Sequence, residues 1–282
     1  MISSEPNADD RKETQPAVVI TGASDGIGLA LARRFLSARH SVVLVARGEA
    51  RLAAAVQTLG PAVATGCQLV PLALDVTDAA APEVLALTLA RNRLHLGVLI
   101  NNAGLGLAGP FAGQAIDDVS RLIELNIAAV TRLTHWAIAD MSERATGHVI
   151  NIASLGAYVP GPNQAAYYAS KAYVMSLSEA LAEEQKATGI RISVALPGPV
   201  DTGFHADMGA DGALYRRLLP SMSSSAVAAS IYRGYRFGLR VIVPGIFNRL
   251  LALAMRATPH PIAVPLTGFL LATRSGHEDR RR

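Results

Sequence analysis

Ala17-Val18-Val19-Ile20-Thr21-Gly22-Ala23-Ser24-Asp25-Gly26-Ile27-Gly28 is an apolar, β-rich run that breaks into a glycine-rich turn and continues as an amphipathic segment over Ile27–Ser37. Val and Ile follow one another without polar alternation, so the run predicts a strand buried on both faces. The glycines allow a tight turn and a close approach of backbone, and a helix starting there offers unpaired N–H groups and the positive end of its dipole to an anion. Strand, glycine turn and helix in that order read as a seat for the pyrophosphate of a dinucleotide, formed by Gly22, Ser24, Asp25, Gly26, Ile27 and Gly28. A plain strand-to-helix connection is the alternative.

The same alternation runs outward from this unit. Further buried strands are expected at 41–46, 68–74, 97–101, 148–153 and 190–196, with a seventh at 240–244. Helical periodicity lies between them at Ile27–Ser37, Ala79–Arg91, Asp117–Met141 and Ala166–Thr188. Gly189 is expected to cap the last of these, and Pro160, Gly161 and Pro162 mark the loop before it. The pattern predicts an α/β fold, a doubly wound, mostly parallel seven-stranded sheet whose ligands bind beyond the carboxyl ends of the strands. The expected organisation is a disordered tail over 1–15, a catalytic domain over 16–245 and an apolar extension with a basic end over 246–282.

Composition narrows the function. Half of the 282 residues are hydrophobic, enough for one large core. Cys67 is the single cysteine, which excludes an internal disulfide and a Cys-rich zinc site and suits a reducing, cytoplasmic setting. The histidines are scattered without paired ligand spacing, so no metal is expected. The first sixteen residues lack the basic-then-apolar order of a secretory signal. The net charge of +4 owes much to Arg280, Arg281 and Arg282, and no basic stripe interleaved with aromatics indicates nucleic acid.

The end of the second strand speaks to the nucleotide. An acidic side chain there bonds the adenosine ribose, whereas Arg accommodates a 2′-phosphate. The strand ends Val45-Ala46-Arg47, nineteen residues beyond Gly28, so NADP(H) is the expected cofactor and Arg47 its reader. An exposed surface charge is the other reading of Arg47.

Tyr167 and Lys171 stand four apart in an expected helix, where their side chains share a face, while Tyr168 is one residue off that register and is expected to point elsewhere. A nearby ammonium favours the ionised phenol and moves Tyr toward acid/base work near neutrality. Other strand ends carry Leu74-Asp75-Val76, Asn101-Asn102-Ala103-Gly104, Ser154 thirteen residues before Tyr167, and Pro197-Gly198-Pro199-Val200-Asp201-Thr202; Asn126 sits within the helix over 117–141.

Together with the Thr-Gly-x-x-x-Gly-x-Gly turn, these residues resemble the short-chain dehydrogenase/reductase family over about residues 17–202. The resemblance implies a Rossmann fold and a catalytic tetrad of Asn126, Ser154, Tyr167 and Lys171. Tyr167 would exchange the proton, Lys171 would bond the nicotinamide ribose, Ser154 would polarise the carbonyl, and Asn126 would anchor a water relay. It further implies cofactor contacts at Asp75, Val76, Asn102, Ala103, Gly104, Pro197, Gly198, Val200 and Thr202.

The remainder is expected to set substrate choice. Phe204–Pro220 reads as a lid, Ser223–Phe237 as a helix, and Tyr158, Pro160 and Pro162 as pocket wall. From Gly238 the chain is strongly apolar but cut by Pro244, Pro259, Pro261 and Pro265, which disfavours a transmembrane span. An amphipathic element with Leu250, Leu251, Leu253 and Ala254 on one side could pack on the core, meet a partner or lie on a membrane. The extension resembles a branch that reduces bulky or lipid-like carbonyl compounds and departs from tetrameric relatives, so a dimer is expected. Alcohol oxidation with the same residues is the close alternative. A non-catalytic nucleotide-binding regulator would be expected to lack a member of the tetrad.

Overall fold

The computed structural model describes residues 14–210 and 212–272. The expected N-terminal tail, apart from its last two residues, and the basic C-terminal end lie outside the described residues. β1 (Gln15–Thr21), one residue earlier than the expected domain start, is followed by α1 (Gly26–Ser37), β2 (Ser41–Ala46), α2 (Glu49–Leu59), β3 (Leu69–Ala73), α3 (Ala81–Arg91) and β4 (Leu94–Asn101). Then come α4 (Ile116–Ile123), α5 (Val130–Ser142), β5 (Gly147–Ile152), α6 (Ala165–Glu184) and β6 (Ile190–Ala195). The chain closes with β7 (Val200–Asp201), α7 (Phe204–Asp207), α8 (Tyr215–Leu218), β8 (Met222–Ser223), α9 (Ser224–Arg236), β9 (Val241–Ile242), α10 (Ile246–Ala257) and α11 (His260–Leu271).

Seven strands form one sheet in the order β3-β2-β1-β4-β5-β6-β9, and its pairings are parallel. The order reverses between β1 and β4, which opens a crevice at the carboxyl ends of the central strands. Alternate residues of each strand face opposite layers. Val18 and Ile20 join Leu31 and Phe35 of α1 and Ile231 of α9 on one side. Val19, Val43 and Leu99 join Leu85 of α3 and Leu133 and Met141 of α5 on the other. This two-sided burial is why the strands read as unbroken Val/Ile/Leu runs.

Several local expectations give way. The helix expected over 117–141 is interrupted by a π-helical stretch, Glu124–Ala129, which carries Asn126. Such widened turns recur at functional positions. Gly189 does not cap α6: the helix ends at Glu184 with Gln185 as its cap, and Gly189, at φ +81°, turns the chain into β6 against Ala145. α2 was not expected as a helix, and the seventh strand spans two residues. In α10 the expected face splits: Asn248 and Ala252 are buried with Leu251 and Met255 beside them, while Leu250 and Leu253 point outward. The buried set follows the i, i+3, i+4, i+7 spacing of one helical face.

Candidate active site

The glycine turn is held from behind by β4. Gly22 and Gly26 adopt φ of +62° and +56°, a region costly to side chains, and a Cβ on Gly22 would lie 2.9 Å from Ala103 Cα. The Asn102 amide donates to Thr21 O and Gly22 O, both at 3.0 Å. The Thr21 hydroxyl accepts from the backbone N–H groups of Asn102 and Ala103, again at 3.0 Å. Asp25 caps α1 by accepting from Gly26 N at 2.6 Å. Gly28 is buried with no room for a Cβ before Gly22 O, and Ser24 stands off the cavity wall.

Arg47 and Asp75 meet at the ends of β2 and β3 as a loose, exposed ion pair at 3.8 Å. Desolvation pushes the Asp75 carboxyl up, but hydrogen bonds from the Thr77 N–H and hydroxyl, with Arg47 nearby, hold it below its ordinary value. Val76 is buried in the core. Neither Arg47, Asp75 nor Val76 lines the cavity, whereas Arg51, from the first turn of α2, does. No sequence motif marks Arg51, and the helix that carries it was not expected.

At the centre, Ser154 follows β5 and opens a 3-10 turn, accepting from Gly156 N at 3.1 Å. Its hydroxyl proton is thereby left for another acceptor. Tyr167 and Lys171, on one face of α6, reach the same space, with Lys171 Nζ 5.7 Å from the centre of the Tyr167 ring. Lys171 Nζ donates to Ile152 O at 3.1 Å. Burial lowers the ammonium to about 8. Burial also raises the Tyr167 phenol to about 12, opposed by a hydrogen bond from Ser154. Near neutrality the site therefore holds a protonated phenol beside a protonated amine. Asn126 stands one layer back, off the cavity. Its side chain accepts from Leu105 N and donates to Leu105 O, each at 2.8 Å, and donates to Ser170 Oγ at 3.1 Å. The π-helical turn brings the Asn126 amide to the loop after β4.

Tyr168 corrects the expectation that it points elsewhere. Its ring lies over Gly156 and Gly161, where neither position has space for a Cβ, and it lines the same cavity 6.0 Å from the Tyr167 ring. Burial pushes its phenol upward.

The fourth side comes from Pro197–Thr202. Val200 is buried, Thr202 closes on Gly26, and a Cβ on Gly198 would lie 2.5 Å from Asn248 Oδ1. Asn248 is 2% exposed; its amide donates to Pro244 O at 2.8 Å, and its Oδ1 has no hydrogen-bond partner. This α10 side chain, unmarked by any motif, backs the Pro-Gly turn. The segment expected as a lid folds over the site: Ala108 N donates to Met208 O at 2.9 Å, and the Phe204 ring lies 5.8 Å from that of Tyr167.

These elements enclose one continuous cavity of about 430 Å³. Gly22, Asp25, Gly26 and Ile27 line one end, and Asn102, Ala103 and Gly104 continue the wall. Ser154, Tyr167 and Lys171 stand in the middle. The far chamber is apolar, walled by Leu155, Met208, Leu219, Leu251, Met255 and Leu270 among others.

Residues 16–212 match the short chain dehydrogenase family. A ketoacyl reductase, HetN, of Nostoc sp. is 33% identical over 195 residues, which is 69% of this chain and 67% of that protein. A short-chain dehydrogenase from Sphingobium yanoikuyae in complex with NADPH superposes with a TM-score of 0.74 at 33% identity, covering 85% of this chain and 92% of the other. One from Burkholderia phymatum in complex with NAD gives 0.77 at 24% identity, covering 88% and 94%. The Rossmann-like sheet, the glycine turn at its crevice and this match over most of the chain make one conclusion: the protein is a member of the short-chain dehydrogenase family, an oxidoreductase acting between CH–OH and C=O groups with a nicotinamide dinucleotide.

Proposed function

We propose that the protein is an NADP(H)-dependent reductase of bulky, apolar ketones. The observation that carries this reading is the single cavity that joins the glycine turn, the Ser154–Tyr167–Lys171 cluster and an apolar chamber. The residues fit the dinucleotide: positive-φ glycines keep the turn bare, and a Cβ on Gly104 would come within 3.4 Å of Lys171 Nζ. Gly22, Ser24, Asp25, Gly26, Ile27 and Gly28 would form the pyrophosphate end, Asp75 and Val76 the adenine side, Asn102, Ala103 and Gly104 the wall along the cofactor, and Pro197, Gly198, Val200 and Thr202 the nicotinamide end. When bound, the nicotinamide supplies the hydride.

Tyr167 gives its phenolic proton to the carbonyl oxygen, a role suited to a phenol kept neutral by burial. Ser154, its oxygen already occupied by Gly156 N, donates its proton toward the same carbonyl oxygen and stabilises the charge that grows there. Lys171 spends one N–H on Ile152 O and has two left for the ribose, while its charge favours the phenolate that remains. Asn126 pins the Leu105 loop and Ser170, and so holds the helix face that carries Tyr167 and Lys171. Alcohol oxidation uses the same groups in reverse and needs the phenolate, which this environment disfavours near neutrality.

The preference for NADP(H) is supported by two cations at the adenosine end, Arg47 and the cavity-lining Arg51, with no acid ending β2. The expected dimer is supported by Ile116 and Ile123 of α4 and Tyr173 of α6, which stand exposed. The lone Cys67 supports placement in a reducing cytoplasm. Titration of nicotinamide fluorescence with wild type, R47A and R51A tests the reading: NADPH should bind at least about tenfold tighter than NADH, and loss of either arginine should shrink that gap. Tighter binding of NADH to the wild type would sink it.

A further inference from the structure

The C-terminal helices have two apolar faces. Leu251, Met255 and Leu270 turn inward to the cavity. Outward, α10 presents Ile246, Leu250 and Leu253, and α11 presents Ile262, Leu266 and Phe269, each set spaced i, i+4, i+7. Leu250 is 63% exposed, Leu253 66% and Phe269 64%. A monomer rarely leaves such stripes in water without a use for them. Leu266 belongs to both environments, since it lines the cavity and is exposed at its rim.

Charge identifies the occupant. Neither α10 nor α11 contains an Asp or Glu. Arg249 and Arg256 are exposed on α10 itself, and α11 carries no Asp, Glu, Lys or Arg. A second copy of the same face would bring arginines against arginines, whereas an anionic lipid surface complements both the charge and the apolar stripes. Each helix has twelve residues, about 18 Å, too short to span a bilayer, and among the described residues no helix is long and apolar enough to do so.

We infer that α10 and α11 dock the protein in the interfacial plane of an anionic membrane, with the rim of the substrate cavity against the lipid. The docking does not depend on the reductase chemistry. An apolar substrate dissolved in the membrane would then reach the chamber past Leu266 without crossing water.

The test is co-sedimentation of the purified full-length protein with vesicles of phosphatidylcholine alone and of phosphatidylcholine enriched in phosphatidylglycerol, without substrate or nucleotide. The protein should pellet with the anionic vesicles and be released by high salt. L250Q/L253Q/I262Q/F269Q, whose positions all lie off the cavity wall, should lower the partition coefficient at least about tenfold, with unfolding midpoint and NADPH binding unchanged. R249E offers an independent reading should the quadruple variant fold poorly, and should weaken binding to anionic vesicles alone. Absence of wild-type binding to anionic vesicles, or equal binding by both variants, overturns the inference. So does a wild-type dimer that the quadruple variant dissociates while no vesicles are bound, because the face would then be a self-interface.

Discussion

The cavity is built by two regions that obey different rules. Residues 14–202 bring polar groups from strand ends into fixed places by backbone geometry: positive-φ glycines, the Asn102 clamp on Thr21 and Gly22, and the i, i+4 pairing on α6. Residues 203–272 finish the same cavity with apolar side chains from short helices, and their polar contacts with the reacting centre are few. On the proposed function the first region would fix which reaction runs, and the second what fits. Substitutions in the first should therefore act nearly all-or-none, and those in the second should be graded with substrate size.

The largest effect is expected at Tyr167. Tyr167→Phe removes the proposed proton donor and leaves the ring in place, so turnover should fall by about 10²–10⁴-fold while NADPH binding persists. Stopped-flow turnover beside fluorescence titration checks it. Retained turnover would mean that the proton comes from elsewhere and that the first region does not own the chemistry.

Gly28→Ala should come next. Its Cβ would collide with Gly22 O and lie 2.6 Å from the Asn102 amide, so turn and clamp must both shift. Overpacking of this kind costs about 1–3 kcal/mol and should also displace the phosphate seat. Urea midpoints and NADPH affinity should fall together. A stable variant that binds normally would show that the turn is less rigid than its geometry implies.

These positions were readable from the amino acids alone because parallel sheets deliver ligand groups at strand ends, and glycines and a Tyr-Lys pair mark themselves by spacing. What escaped reading depended on tertiary context. The π-helical turn at Asn126 follows from its bonds to the Leu105 backbone, which no local propensity encodes. Tyr168, one residue out of register, still reaches the cavity because Gly156 and Gly161 leave room for its ring. Arg51 belongs to no motif and to a helix the sequence did not announce, so only the placed α2 brings it to the cavity. In α10 every residue but Asn248, Arg249 and Arg256 is apolar, so the inward face was settled by Asn248 meeting Gly198 rather than by hydrophobicity.

The joint between the two regions includes a titratable group. His148 of β5 is buried, its ring 5.2 Å from that of Tyr235 on α9. The Ser193 hydroxyl donates to Leu239 O, so His148 Nε2–H is the donor to Ser193 Oγ at 2.7 Å. Desolvation, with Arg191 nearby, lowers the folded pKa from 6.5 to about 4. The unfolded chain thus binds more protons between these values, so this contribution is complete above pH 6.5 and is lost as pH falls toward 4. It amounts to about 3 kcal/mol. Denaturant unfolding of wild type and His148→Gln across that window should show a shallower acid loss in the variant. Parallel curves would remove His148 from the joint.

The smallest effect is the one that most sharpens the comparison. Leu251 and Leu270 line the chamber. L251A/L270A should raise KM for a bulky apolar ketone by about tenfold, the size expected for lost apolar contact. For a small ketone, kcat and KM should both stay within about twofold, since that substrate never fills the chamber. Steady-state kinetics on a ketone series of increasing bulk separates the cases. An equal loss of kcat for small and bulky ketones would mean that the C-terminal helices also position the reacting centre, through α10 and the Pro197–Gly198 turn behind which Asn248 sits. The two regions would then be one mechanical unit, and the division between chemistry and fit would have to be redrawn at α11.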